Sequence, residues 1–552
     1  MLFDRLGLPD AWQLRLQYTV LDTHFGDGVS FVRLWERWRQ DPRRPDRLHM
    51  VALSDSLVEA PILRARLRAQ TPSSLHAMVE QLVLQWPLNL PGTHRMDFEG
   101  MAVTLTIVVG PLNVTLPRVA VAADGVLFGE SVAAPQALSV DAQTALARLL
   151  RQNNANNTVE PVVTVSPTDK MLRQPPSQEH AQHAVVVGAG IAGAGVAYAL
   201  SLRGWRVQVL DVPQRRQQEH GGHLAAALTP MVTRDDDIRA RLSRAGSLRA
   251  QARWSHVSED MLWRCGALQL QRVSGRIVNL EGVLAGLSFP PEWVRFVEAS
   301  EASEIAGLTL SRGGLYFPTA ARIRPERLID ALLGAPGIER LGAQVERVER
   351  VNGLWRALNA RGEVCAEAPQ LILASAFETQ SILIRSELLE PSSRLAAMHA
   401  LGGEITLLPD HAVAGGPRCI VSGDGYILPA LEGYCVVGSS YIHGAQRMAA
   451  SAAGTKSNLD RASGLLGSFP LYESLNSPQD MDLSGWAGWR AVLPGRLPAI
   501  GPFASTKGLW IASGLASRGL TWSSLAGDLI AAALNGEPLP LERDIMDKIS
   551  QT

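Results

Sequence analysis

From Ala184 to Leu202, nineteen consecutive residues carry no charge, which is close to the length needed to cross a membrane. Glycines at 188, 190, 193 and 195 interrupt the run, and its periodicity changes midway. AVVV reads as a buried parallel strand and AGVAYALSLRGW as a helix, so the segment is predicted to be strand, turn and helix rather than one span. The same pattern returns near the C-terminus, where LPAIGPF and GLWIAS precede a glycine-rich turn (Gly514, Gly519) and an amphipathic helix in GLTWSSLAGDLIAAALNG. Near the start, residues 18–53 (YTVLDTHFGDGVSFVRLWERWRQDPRRPDRLHMVAL) predict a strand, a turn at Gly26 and Gly28, a helix and a second strand. Strands alternating with helices predict an α/β fold. Between Arg151 and His183 the periodicity stops, and Asn, Gln, Pro and Ser accumulate as in a linker. The expected organisation is a domain over 1–150, a linker over 151–183 and a second domain over 184–552.

Composition narrows the picture. The 552 residues are enough for about three structural domains. Hydrophobic residues make up 46% and charged ones 19%, which excludes wholesale disorder. A formal charge of −1 gives no global pull toward nucleic acid or membrane, so a polyanion must be met by a local patch. Only four of the 52 basic residues are lysine and the rest are arginine; a planar guanidinium suits phosphate and carboxylate recognition, but a GC-rich coding sequence is the preferred explanation. Cys265, Cys365, Cys419 and Cys435 form no CxxC pair, which argues against a zinc ribbon or disulfide scaffold and fits a reducing compartment. Asp4, Arg5 and Asp10 break any signal-like start, so the expected location is the cytoplasm, away from membranes. Nothing in the pattern specifies an oligomeric state.

The sharpest chemistry is in AVVVGAGIAGAGVAYALSLRGWRVQVLD, residues 184–211. Gly188, Gly190 and Gly193 form G-x-G-x-x-G between strand and helix, and the next strand ends in Asp211, 23 residues after the first glycine. The glycines let the backbone turn tightly and approach a pyrophosphate at the helix N-terminus, while the acid accepts ribose hydroxyls. This fingerprint serves NAD and FAD alike. The second glycine-turn helix, at Gly514 and Gly519, favours FAD, because a helix N-terminus returning from the far end of the chain suits a flavin held between two lobes.

Four stretches carry a resemblance: HLAAALTPMVTRDDDIRARLSRAG (223–246), SGDGYILPALEGYCVVGSSY (422–441), GWRAVLPGRLPAIG (488–501) and GLASRGLTWSSLAGDLIAAALNGEPLPLERD (514–544). Together they resemble the oxidoreductase half of the MnmC family, bifunctional enzymes of tRNA wobble-uridine modification. The resemblance implies a two-lobed FAD oxidoreductase of the glycine and D-amino-acid oxidase type, with a cofactor lobe near 184–260, 321–397 and 485–552 and a substrate lobe near 261–320 and 398–484. Its implied reaction removes the carboxymethyl group from 5-carboxymethylaminomethyl-(2-thio)uridine and leaves the aminomethyl base. By the same resemblance Arg490 stands where the substrate carboxylate is held, against the alternative of a surface ion pair. Tyr426 is expected to face the flavin, or else to be packed in the sheet. Arg518 follows the Gly514 turn, where it could orient substrate or flavin. Val345 sits where main-chain groups bind adenine, though a buried strand valine would look identical.

Departures from the family are equally specific. Gly222 is followed by His223 rather than asparagine, Ala374-Ser375-Ala376 replaces Ala-Asn-Gly, and Thr319 to Pro325 reads TAARIRP. The HxxH pairs, His180 with His183 and His220 with His223, lack partner ligands at metal spacing, so no metal is expected. Residues 18–53 and 84–110 resemble the family's methyltransferase half, which implies S-adenosylmethionine. However, His24 replaces a turn glycine, Ser54 stands in the place of an acid, and no Asp-Gly-Phe-Ala-Pro motif occurs near 121–135. The N-terminal domain is therefore expected to be a degenerate, Rossmann-like remnant that does not methylate. Nine arginines between 33 and 68, against five acids, offer a stripe for tRNA phosphates or simply a solvated face. The competing functions are oxidation of a free small amino acid such as glycine or sarcosine, and a tRNA-binding flavoprotein without turnover.

Overall fold

A computed structural model describes residues 6–128, 140–150, 182–212, 223–272, 279–443, 449–466, 483–503 and 506–550. The chain divides into two compact units, one of Met1–Ala181 with Asp528–Gln551, the other centred on Gln182–Gly527.

In the N-terminal unit, strands β1 (Gln17–Asp22), β2 (Arg47–Ser54), β3 (Gly92–Phe98), β4 (Val103–Val109) and β5 (Gly125–Leu127) form one sheet in the order β3-β4-β2-β1-β5. All neighbours are parallel except β3, which runs antiparallel to β4. β1 and β4 are buried along their whole length, as expected of parallel strands covered on both faces. Gly28, at φ +75°, admits the chain into helix α1 (Val29–Gln40), which buries Phe31, Leu34, Trp35 and Trp38 at helical spacing. The Rossmann-like expectation holds for this half-sheet, with Asp22 and Ser54 both at C-terminal strand ends, where such sheets bind ligands.

In the second unit, β6 (His183–Val187), β7 (Arg206–Asp211), β8 (Ile338–Gly342) and β9 (Gln370–Leu373) belong to a six-stranded sheet with segments 499–502 and 509–513. Its order is β8-β7-β6-β9, then 509–513 and 499–502, parallel except at the last strand. A separate sheet of nine strands is built around β10 (His399–Pro409), β11 (Tyr426–Ile427), β12 (Tyr434–Gly438) and β13 (Gly485–Val492). The first sheet carries the glycine-turn segment assigned from sequence to the cofactor lobe, and the second carries most of the segments assigned to the substrate lobe. One boundary moves: β13, assigned from sequence to the cofactor lobe at 485–552, pairs along eight residues with β10 of the substrate sheet.

The helix after β6, α2 (Ile191–Ser201), and the helix α4 (Gly519–Asn535) cross closely, whereas α3 (Ala452–Leu465) packs on β10. At the crossing, a Cβ on Gly195 would lie 2.5 Å from the Ser523 carbonyl oxygen, and one on Gly527 would lie 2.2 Å from that of Gly195. α4 buries Trp522, Leu525, Ala526, Leu529 and Ile530, so it is a core helix rather than a half-exposed one.

The chain after α4 was expected to stay with the cofactor lobe, but it joins the N-terminal unit instead. Glu537 accepts from Arg47 at 2.6 Å and from Arg95 at 2.7 Å, with the Glu537 and Arg95 side chains each only 1% exposed. Arg95 also donates to the Pro538 carbonyl, Gln17 to that of Gly536, and the Leu539 amide to that of Ala120. The tail thereby satisfies buried polar groups of this unit's strands. Among the described residues no helix is long and apolar enough to cross a membrane.

Candidate functional site

The first part of the site is the glycine turn between β6 and α2. Gly188 has φ +105°, a conformation that favours glycine, and a Cβ there would meet the Ala374 carbonyl oxygen at 2.6 Å. A Cβ on Gly193 would lie 1.8 Å from the Gly188 carbonyl oxygen, so the turn closes only without a side chain. Gly190 differs: its missing Cβ points into open space. The amides of Ile191, Ala192 and Gly193 donate to no acceptor among the described residues, as at any helix start left for an anion. Asp211 ends β7 beside this turn, its carboxylate accepting from the Ala189 amide at 2.9 Å and the Val212 amide at 2.7 Å.

Val345 follows β8, whose Gly342 pairs with Asp211. Its side chain is buried, and neither its amide nor its carbonyl has a partner among the described residues. Ala374 and Ser375, where the sequence departs from the family, lie against the Gly188 turn. The departure at Gly222 and two of the four HxxH positions, His180 and His220, fall outside the described residues. Among the described residues no group of three or more His, Cys, Asp and Glu could hold a metal ion.

The second part is on the substrate sheet. Arg490, in β13, donates through Nη2 to the Ser439 hydroxyl at 3.3 Å, and its guanidinium carbon stands 5.3 Å from the centre of the Tyr441 ring. Its Nη1 is buried without a partner among the described residues. A buried donor left unpaired costs about 1–3 kcal/mol, so an anion placed there removes a standing penalty. Tyr426, in β11, feels the Arg490 charge; burial pushes its hydroxyl up to about 12, with Arg490 pulling the other way. The tyrosine therefore stays protonated and can donate. Arg518 lies in the 3-10 turn Ala516–Arg518, which packs against β13, and donates to the Thr229 carbonyl at 2.8 Å. Burial lowers the Arg518 pKa, partly opposed by Tyr441. Gly514, at φ +70°, and Gly519 flank this turn and lead into α4, and a Cβ on Gly519 would touch Ile191 of α2 at 3.1 Å.

The structure thus gathers Arg490, Tyr426 and Arg518 around Tyr441, and gathers Gly188, Gly190, Gly193, Asp211 and Val345 at the strand ends of the first sheet. Sequence reasoning missed Ser439, Tyr441 and Arg461. Arg461, on α3, donates to the carbonyls of Ser439 at 3.2 Å and Asp424 at 3.3 Å, tying together the loops that carry Tyr426 and Ser439. The available signal was the glycine pair Gly402-Gly403 inside β10, which marks a close approach.

Comparison with known proteins decides the family. FAD dependent oxidoreductases match residues 183–533. The tRNA 5-methylaminomethyl-2-thiouridine biosynthesis bifunctional protein MnmC of Cupriavidus necator is 33% identical over 610 aligned positions, covering 98% of this chain and 90% of that protein. Its counterpart from Ralstonia nicotianae is 32% identical over 607, with the same coverage. The chain belongs to the MnmC family. Its cofactor is FAD. Glycine oxidase from Geobacillus kaustophilus superposes with a TM-score of 0.53 at 18% identity, covering 67% of this chain and 98% of that one, and the Bacillus cereus enzyme with 0.52 at 17%, covering 64% and 97%. These neighbours share the fold of the MnmC oxidoreductase half. The aligned length exceeds the 552 residues here, so the MnmC relatives carry segments that this chain lacks.

The arginine stripe of the N-terminal unit is largely engaged. Arg64 and Arg68 pair with Glu80, Arg66 with Asp27, Arg39 with Glu99 and Arg47 with Glu537. Five of the nine arginines between 33 and 68 are thus ion-paired.

Proposed function

We propose that the chain removes the carboxymethyl group from 5-carboxymethylaminomethyl-(2-thio)uridine at the tRNA wobble position, leaving 5-aminomethyl-(2-thio)uridine. The observation that carries this reading is the buried, unpartnered Nη1 of Arg490 beside a protonated Tyr426, a pair of donors suited to a carboxylate. The names of the relatives supply the tRNA context. When bound, FAD would supply the two-electron oxidation of the C–N bond between the secondary amine and the carboxymethyl methylene, and hydrolysis of the resulting imine would give glyoxylate and the primary amine.

The chain's own residues bind and orient. Amides at the start of α2 and the side-chain-free edge of Gly190 accommodate the pyrophosphate, Asp211 the adenosine ribose, and the main chain of Val345 the adenine. The residues present fit the group: the space at Gly190 is open while those at Gly188 and Gly193 are closed by backbone. Arg490 and Tyr426 hold the carboxylate, and Arg518, anchored on Thr229, faces the flavin or the substrate amine. The Gly514 and Gly519 turn brings the N-terminus of α4 to the same cofactor.

The N-terminal unit, in this reading, does not transfer methyl groups. His24, an exposed side chain, replaces the turn glycine after β1, and Ser54 donates its hydroxyl to the Ser56 carbonyl at 2.7 Å rather than offering a carboxylate. The reaction assignment is tested by mixing the holoenzyme anaerobically with tRNA that carries the carboxymethylaminomethyl group. Bleaching of the flavin by this tRNA, and none by glycine or sarcosine, is expected. Bleaching by the free amino acids alone would move the assignment to a small-amine oxidase.

A further inference from the structure

Glycine is unfavourable inside strands, because it has no side chain to pack and loses more backbone entropy than any other residue. Three glycines nevertheless occupy neighbouring positions on the substrate sheet. Gly403 pairs with Gly488, and two residues along the strands Ile405 pairs with both Gly438 and Trp486, while Gly438 pairs with Tyr426. None of the three has a positive φ, so the backbone does not require glycine at any of them. Each instead has a functional side chain lying over it. A Cβ on Gly403 would come within 2.1 Å of Arg490 Nη1 and 2.9 Å of its guanidinium carbon. On Gly488 it would lie 2.5 Å from the Trp486 indole, and on Gly438 it would lie 3.1 Å from the Tyr426 hydroxyl.

Alternate residues of β13 share a face, so Trp486, Gly488 and Arg490 point the same way. The indole and the guanidinium therefore share a face of the sheet, each lying over one member of a directly opposed glycine pair. Trp486 already carries a planar partner: the His223 imidazole stacks on it with centroids 4.4 Å apart and planes 4° apart.

We propose that Gly403 and Gly488 are positioning residues that seat Arg490 and Trp486 in one layer, and that this layer selects substrates in which a carboxylate is tethered to a flat ring. Arg490 takes the carboxylate, and the pyrimidine ring joins the stack of Trp486 and His223. Gly403 acts through Arg490, and Gly488 acts through Trp486. The proposal deepens the functional reading above and rests on it, since it uses Arg490 as the carboxylate-binding residue.

The test uses the flavin-loaded full chain and two probes that cannot be oxidised at a C–N bond: 5-carboxymethyluridine, with carboxylate and ring, and acetate, with no ring. Binding is followed by the change in flavin absorbance. Gly403→Ala should weaken both probes by about tenfold or more, as expected for loss of a charge-assisted grip. Gly488→Ala should weaken 5-carboxymethyluridine and leave acetate unchanged. In an Arg490→Ala background, adding Gly403→Ala should cost nothing further, an outcome that a merely misfolded sheet would not give. Flavin content and Tm of each variant identify loss of fold, and Trp486→Ala, which removes the ring without adding atoms at Gly488, then replaces Gly488→Ala with the same expected outcome. Equal binding of both probes by wild type and both alanine variants would overturn the proposal. A flavin-loaded wild type that takes up neither probe would instead sink the functional reading on which it stands.

Discussion

Single residues in this chain act through what surrounds them. Arg490 could be read from sequence as a candidate, but its chemistry depends on a buried Nη1 without a partner among the described residues and on Ser439 and Tyr441, which arrive from the loop after β12. Arg490→Lys should raise KM for the modified tRNA strongly while leaving flavin content unchanged, because an ammonium cannot reproduce a two-pronged carboxylate grip. Steady-state kinetics with absorbance at the flavin band check this, and an unaltered kcat/KM would move the role to Arg518. Gly190→Val should yield colourless protein, since the branched side chain would fill the one opening in the turn. A third residue sets a pH dependence. Asp22 is 3% exposed, and burial raises its carboxyl to about 7, with one hydrogen bond from the His24 amide pulling it down. The folded chain therefore keeps a proton that the unfolded chain releases above about pH 4. Stability of the N-terminal unit should fall as pH rises from about 4 to 7 and stay low above that range. Asp22→Asn should flatten this slope and raise Tm at pH 8; an unchanged calorimetric profile would show that Asp22 is not the titrating group.

Elements show where sequence patterns carry and where they fail. The strand, glycine turn and helix at 183–201 were legible because their signal is local: apolar run, glycine spacing, acid at the next strand end. The C-terminal tail was not. Its Glu537 looked like part of a family signature, yet its partners Arg47 and Arg95 stand 490 and 442 residues away, a separation that no periodicity encodes. Removing one member of a buried ion pair leaves the others uncompensated, at about 3–5 kcal/mol. Glu537→Ala should therefore destabilise the N-terminal unit by about that amount in urea unfolding, with the flavin spectrum intact. Charge counted along the chain likewise did not show that Glu80, Asp27 and Glu99 fold back to pair with Arg64, Arg68, Arg66 and Arg39.

At the scale of the whole molecule, the chain is an FAD-dependent MnmC-family protein whose oxidoreductase half carries the glycine turns and the arginine site, and whose N-terminal half keeps a five-stranded sheet. The account separates their activities. Calorimetric titration with S-adenosylmethionine should show no micromolar binding to the N-terminal unit. The central claim is tested most directly on tRNA from cells lacking this activity, incubated with the purified chain and analysed by mass spectrometry of the wobble nucleoside. The account predicts conversion of the carboxymethylaminomethyl nucleoside to the aminomethyl one, with glyoxylate released in equal amount and no methylaminomethyl product even when S-adenosylmethionine is added. An unchanged wobble nucleoside in the presence of flavin-loaded protein would contradict it.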